Sequence, residues 1–197
     1  MGNKSPRPNG LGLDAEDMAE LDAYLIDRIH KISLVGAEQV GKSTYLKMLT
    51  QDPSHNINAK YQPTIGCEFG LLTIPDLKCK LQIWDLGGQE RFRSIGVSYI
   101  RSNSIAIFMY SVNHASSWEE LKTYYVKLFR EMKGPDAPGL LIGNLTDKNL
   151  PVQVHDADVQ AYATENSLFS CTVDLSTATA ESLVHKVREV IEKLDNK

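Results

Sequence analysis

Short apolar runs alternate along this chain with longer stretches in which apolar positions recur at helical spacing. The runs near 31–35, 68–74, 79–85, 104–112, 138–143 and 168–174 read as strands. The stretches near 42–50, 89–101, 116–132, 155–166 and 180–194 read as helices. The last carries Leu183, Val187, Ile191 and Leu194 on one face, which predicts core packing rather than a partner surface. Pro75-Asp76-Leu77-Lys78 joins two of the strands as a hairpin-like turn. The order of elements predicts an α/β domain with a mostly parallel six-stranded sheet, one antiparallel edge, and helices on both faces. Ligands of such sheets sit at the carboxyl ends of the strands.

The N-terminal part follows a different pattern. Residues 1–13 are rich in Pro, Gly and Asn and predict a flexible segment. Asp14 can cap a helix running through about His30, with Met18, Leu21, Leu25 and Ile29 on one face. This extension over 14–30 is acidic: Asp14, Glu16, Asp17, Glu20, Asp22 and Asp27 stand against Arg28. The domain itself is expected over 31–195.

The chain has 197 residues and a net charge of −4, enough length for one domain and no electrostatic case for nucleic acid or an anionic membrane. Cys67, Cys79 and Cys171 form no CxxC pair and sit in apolar surroundings, which predicts buried free thiols in a reducing compartment. The five histidines show no metal-ligand spacing. There is no signal peptide and no apolar run long enough to span a bilayer.

Gly36-Ala37-Glu38-Gln39-Val40-Gly41-Lys42-Ser43 fits G-x-x-x-x-G-K-[ST], a phosphate-binding P-loop. Its glycines let backbone N–H groups, including those near Glu38, Val40, Gly41 and Thr44, face an anion. Lys42 is placed to reach the β- and γ-phosphates, and Ser43 to ligate Mg²⁺. The context is a buried strand entering and a helix leaving, with its dipole aimed at phosphate.

A nucleoside-triphosphate site needs a second Mg²⁺ anchor. Asp85 ends an apolar strand in Trp84-Asp85-Leu86-Gly87-Gly88-Gln89 and answers that need. Gly88 can bring a backbone N–H to the γ-phosphate, and Gln89 can orient an attacking water. Taken alone, Asp85 would be a helix cap and Gln89 a surface residue. Thr64, in Tyr61-Gln62-Pro63-Thr64-Ile65-Gly66, can offer a hydroxyl to Mg²⁺; taken alone it is part of a Pro-Thr loop.

These motifs, with Asn144-Leu145-Thr146-Asp147 and Asp174-Leu175-Ser176-Thr177, resemble those of small GTPases of the Ras superfamily over about 30–195. YQPTIGCEF at 61–69 and QERFRSI at 89–95 are similar to Rab proteins; WDLGGQ is closer to Arf and to septation-signalling GTPases. The resemblance implies a single P-loop G domain that binds GTP/GDP with Mg²⁺. It implies Lys42, Ser43, Thr64, Asp85, Gly88 and Gln89 at phosphate and metal, and Tyr61 beside them. It implies Asn144, Asp147, Ser176 and Thr177 at the guanine, where Asp147 selects guanine by accepting from its N1–H and exocyclic amine. Effector, exchange-factor and activating proteins are the implied partners of a monomer in the cytoplasm, recruited to membranes through them.

Four positions depart from the family. Leu145 replaces the Lys of N-K-x-D, and Ala178 that of S-A-K, although a Thr177 N–H is still placed for the base oxygen. Ile57 stands where an aromatic ring usually caps the base. Glu38 stands where many relatives have Gly; it either points outward, as an acid does there in Arf proteins, or crowds the γ-phosphate. The last cysteine is Cys171, and Pro6 spoils a myristoylation motif, so the sequence carries no lipid-anchor signal. Either a native tail is missing from this sequence or the chain works without its own anchor. Two readings stay open: a slowly hydrolysing GTP switch, or a nucleotide-binding interaction module with negligible turnover.

Overall fold

The computed structural model describes residues 26–56 and 61–195, and the following holds for those. Strands β1 (Arg28–Val35), β2 (Cys67–Ile74), β3 (Cys79–Leu86), β4 (Ile105–Ser111), β5 (Gly139–Asn144) and β6 (Phe169–Val173) form one sheet in the order β2-β3-β1-β4-β5-β6. Only β2 runs antiparallel, paired along its length with β3 at the edge. The hairpin between them closes through a 3₁₀ turn, Pro75–Leu77, with Lys78 in the left-handed region at φ 48°.

Alternation on the strands decides how the two faces are covered. Ile32 and Leu34, Ile105, Ile107 and Met109, and Leu140 and Ile142 face one side. There they meet helices α1 (Lys42–Leu49) and α5 (Ala180–Asp195) through Tyr45, Leu46, Leu49, Leu183, Val187 and Ile191. The intervening Val35, Ala106, Phe108, Tyr110 and Leu141 face the other side. That side is covered by α2 (Arg93–Ser102), α3 (Ala115–Lys133) and α4 (Asp156–Glu165), through Ile100, Trp118, Leu121, Phe129 and Val159. The central strands are apolar on both faces because both faces are buried.

Three elements differ from expectation. β1 begins at Arg28, and Arg28 to Lys31 continue its register against Cys79 to Gln82 of β3, so the N-terminal helix does not extend to His30. Ile29, expected on that helix's apolar face, lies on the strand with 57% of its surface exposed. Met18, Leu21, Leu25 and the segment 1–13 lie outside the described residues. The segment after Gln89 starts as a 3₁₀ turn, Glu90–Phe92, before α2. Helix α3 is α-helical over Ala115–Glu120, π-helical over Leu121–Val126, and α-helical again over Lys127–Lys133. Of the cysteines, Cys79 is buried while Cys67 and Cys171 are half-buried.

Candidate functional site

The carboxyl ends of β1, β3, β4, β5 and β6 lie along one edge of the sheet, since these strands are parallel. A cleft of about 850 Å³ opens there. Glu38, Gly41, Lys42, Ser43, Thr44, Tyr61, Thr64 and Gly88 all line it. Two backbone approaches explain the glycines. Gly41 sits at φ 98° at the start of α1, and a Cβ on it would lie 2.6 Å from Asn144 Nδ2. A Cβ on Gly88 would lie 2.5 Å from the Glu38 backbone nitrogen, so only glycine lets the chain leaving β3 lie against the P-loop.

The phosphate half is drawn together tightly. Lys42 Nζ donates to the carbonyls of Gly36 at 2.9 Å and Ala37 at 2.6 Å, which holds the ammonium inside the loop. Burial lowers its pKa from the ordinary lysine value, against the pull of the Asp85, Glu120 and Glu38 charges. The Ser43 hydroxyl donates to Asp85 Oδ2 at 2.5 Å and lies 2.9 Å from Thr64 Oγ1. Burial pushes Asp85 up to about 6, opposed by Lys42 and the Ser43 hydrogen bond. Its other oxygen, Oδ1, is buried with no hydrogen-bond partner among the described residues. Such an atom is costly unless something satisfies it. Two hydroxyls and a carboxylate with a spare buried oxygen are hard oxygen donors, and they fit Mg²⁺.

The half expected to hold the base is built differently. Asn144 Nδ2 donates to the Val40 carbonyl at 3.0 Å, and Asn144 Oδ1 accepts from Leu175 N–H. Asn144 thus joins the P-loop, the end of β5 and the loop after β6. Val40 turns its side chain into the core, leaving only its backbone for a ligand. Asp147 is half-buried, and its Oδ1 accepts from Asn149 N–H at 2.8 Å, an Asx turn that fixes the carboxylate. In the loop after β6, Asp174 takes the Ser176 N–H and hydroxyl, while the Thr177 N–H donates to the Asp174 carbonyl at 3.0 Å. The N–H expected at the base oxygen therefore closes a turn in this conformation.

Asn144, Asp147, Ser176 and Thr177 do not line the cleft, and neither do Val40, Asp85 or Gln89. Asp85 lies behind Ser43. Gln89 stands between the cleft residue Gly88 and the 3₁₀ turn. Glu38 is exposed at the cleft wall. Leu145 packs on the core layer under α3, and Ala178 on the layer under α5. Ile57 lies outside the described residues.

Sequence reasoning missed two groups. Asn113, buried just past the end of β4, contacts the 144–151 loop through five hydrogen bonds. Lys148 Nζ, next to Asp147, pairs with Asp174 Oδ2 at 2.9 Å across the loops after β5 and β6. For Asn113, the available signal was an Asn at the carboxyl end of a central strand. Lys148 reads in the sequence as an ordinary surface lysine.

Residues 31–196 match the family model of the Ras family. The Ras-related protein RABA1c of Arabidopsis thaliana is 31% identical over 170 residues, 85% of this chain and 76% of that protein. The Ras-related protein Rab-2B of Dictyostelium discoideum is 32% identical over 174 residues, 86% of this chain and 84% of that protein. The human EF-hand calcium-binding domain-containing protein 4B is 30% identical over 195 residues, but this chain spans only 26% of its length. Among the described residues, no helix is long and apolar enough to cross a membrane. With its P-loop, its sheet order and these matches, the chain belongs to the Ras family: it is a Rab-like small GTPase, a GTP-binding protein of the switch type.

Proposed function

We propose that this chain binds GTP and GDP with Mg²⁺, hydrolyses GTP slowly, and recruits effector proteins in the GTP state. The single observation that carries this is the convergence of Lys42, Ser43 and Thr64 at one cleft beside Gly88, with Asp85 hydrogen-bonded to Ser43 behind them. Mg²⁺ held by Ser43, Thr64 and Asp85 would offset charge on the phosphate oxygens. Lys42 and the P-loop N–H groups stabilise charge that develops as the γ-phosphoryl leaves. Gln89, the residue after Gly88, orients the attacking water. Asn144 and Asp147 hold the guanine.

Support for effector recruitment comes from the surface. Ile65, Phe69, Leu71 and Ile95 are exposed on the segments that follow Thr64 and Gln89, with Ile65 79% and Phe69 52% accessible. Exposed apolar side chains next to a nucleotide-sensitive loop suit a partner that reads its state. Exchange and activating proteins, and recruitment to vesicle membranes through partners, belong to the same reading.

Glu38 favours a second reading, an interaction module with negligible turnover. Its carboxylate stands at the cleft wall, where γ-phosphate and water must fit. Single-turnover hydrolysis of bound GTP with Mg²⁺ separates the two. A measurable rate that is lost in Gln89→Leu supports the switch; no product over many hours supports the module. Equal competition by ATP would refute the guanine assignment.

A further inference from the structure

We infer that Asn113 is a positioning residue for guanine selection: it holds the Asp147 loop from beneath. This rests on Asp147 being the acceptor of the base. Asn113 is 1% exposed and does not line the cleft. Its Oδ1 accepts the backbone N–H of Thr146 at 3.0 Å and of Asp147 at 3.1 Å. The Thr146 hydroxyl lies 3.2 Å from the same oxygen and 2.6 Å from Ser111 Oγ. On its other side, Nδ2 donates to the carbonyls of Leu150 at 3.1 Å and Pro151 at 3.3 Å. Two N–H donors on one end and two carbonyls on the other leave no choice in how the amide is turned.

One side chain thus grips both ends of the segment 146–151, and at its first end it holds the backbone of Asp147 directly. Its own N–H donates to Ser111 Oγ, so the grip is anchored to the end of β4. The Asx turn from Asn149 then sets the carboxylate within a loop that is already fixed. The Lys148–Asp174 pair ties the same loop sideways, but both groups are partly exposed and such pairs hold weakly. In a chain whose position 145 is Leu, with no lysine stem to brace this loop, Asn113 does the bracing from the core.

Selection for guanine is the property this controls. Asp147 distinguishes guanine from hypoxanthine by the exocyclic amine alone, so the affinity ratio of GDP to IDP reads the placement of its carboxylate. The ratio of GDP to GMP reads the phosphate half instead. For the unsubstituted chain with Mg²⁺, we expect GDP over IDP by roughly ten- to hundredfold, the worth of one hydrogen bond to a charged acceptor. Asn113→Ala should lower that ratio about tenfold and leave GDP over GMP within about twofold. Thr146→Val, on a half-buried residue, removes the hydroxyl's contacts with Asn113 and Ser111, keeps the backbone N–H bond to Asn113, and should lower GDP over IDP about threefold.

An unchanged GDP to IDP ratio in folded Asn113→Ala overturns the inference. So does a parallel collapse of both ratios, which would make Asn113 a general scaffold residue. Should Asn113→Ala fail to fold, Thr146→Val decides alone, and an unchanged ratio there overturns the inference. If the unsubstituted chain shows no preference for GDP over IDP, the reading of Asp147 itself has failed, and that result is recognisable because it needs no variant.

Discussion

Asn144 and Val40 are joined by a 3.0 Å hydrogen bond across 104 positions of sequence, from a side-chain amide to a P-loop carbonyl. The bond is buried, and it ties the loop proposed to hold the base to the P-loop. Asn144→Ala would leave the Val40 carbonyl and the Leu175 N–H without their partner. The expected loss is about 1–3 kcal/mol of stability. Nucleotide affinity should drop at least tenfold as well. Chemical denaturation and equilibrium titration with a fluorescent GDP analogue measure the two; full affinity in a folded variant would show that the loops hold their positions separately.

Ser43 contacts both Asp85 and Thr64, so its hydroxyl is the meeting point of the three proposed metal donors. Ser43→Asn should leave a chain that prefers GDP or no nucleotide. Chelating Mg²⁺ should weaken GTP binding more than GDP binding, because the extra phosphate charge is then unopposed. Isothermal titration with and without a chelator checks this, and equal GTP affinity in both conditions would remove Ser43, Thr64 and Asp85 from metal binding.

Most of the fold is legible in the sequence because both periods are strong. Ile32 and Leu34 against Ser33 and Val35 mark a strand buried on two faces, and Leu183, Val187 and Ile191 mark a helix buried on one. The start of β1 is not legible: Ile29 stands four residues after Leu25, as on a helix, and only pairing with β3 makes it a strand. The π-helical turn in α3 is hidden too, since Leu121, Tyr125 and Phe129 are buried at ordinary helical spacing. The P-loop part of the candidate site is legible because its residues, Gly36 to Ser43, are adjacent in sequence. The bracing of the base loop is not, because Asn113 acts 33 and 34 positions away through tertiary contact.

Glu38 and Gln89 should act in opposite directions on hydrolysis. Glu38 brings a negative side chain to the cleft, and Gln89 follows the glycine that touches the P-loop. Unaided Ras turns over on the order of 10⁻⁴ per second, and this chain is expected at or below that. Glu38→Gly should raise the single-turnover rate and Gln89→Leu should abolish it. Unchanged rates in both would take these residues out of the mechanism.

Asp174 gives an acid limb to stability. Hydrogen bonds from Ser176 and Lys148 hold its carboxyl down at about 2, below the ordinary 3.8. A depressed folded pKa means the folded state favours the ionised form. The stabilisation is complete above the ordinary value and is lost as pH falls from about 4 through 2. The group is partly exposed, so the effect is about 1 kcal/mol or less. Urea midpoints of the native chain and Asp174→Asn should differ at pH 6 and converge near pH 2; parallel curves would show that the carboxyl is not held down.

Release of GDP should be fast without an exchange factor. In this family the base is gripped between a lysine stem and an aromatic edge, and this chain has Leu145, Ala178 and Ile57 at those places. Leu145 packs towards the core under α3, and Ala178 towards the core under α5, so neither puts a long stem along the base. The Thr177 N–H is already used within its turn. Asn113 and the Lys148–Asp174 pair bond the loops to each other and to the end of β4, and none of the three lines the cleft. Guanine can therefore be selected well and yet be held weakly. Lost contacts of about 1–2 kcal/mol each weaken binding by one to several powers of ten if they are roughly additive. Such losses appear mainly in the off-rate. The nucleotide state would then follow the ratio of GTP to GDP more than the supply of an exchange factor. Stopped-flow release of a fluorescent GDP analogue in excess Mg²⁺ measures it, and Leu145→Lys should lengthen the bound lifetime. A lifetime of hours in the native chain, or no change in Leu145→Lys, would mean that leucine and isoleucine support the base as well as the usual residues do.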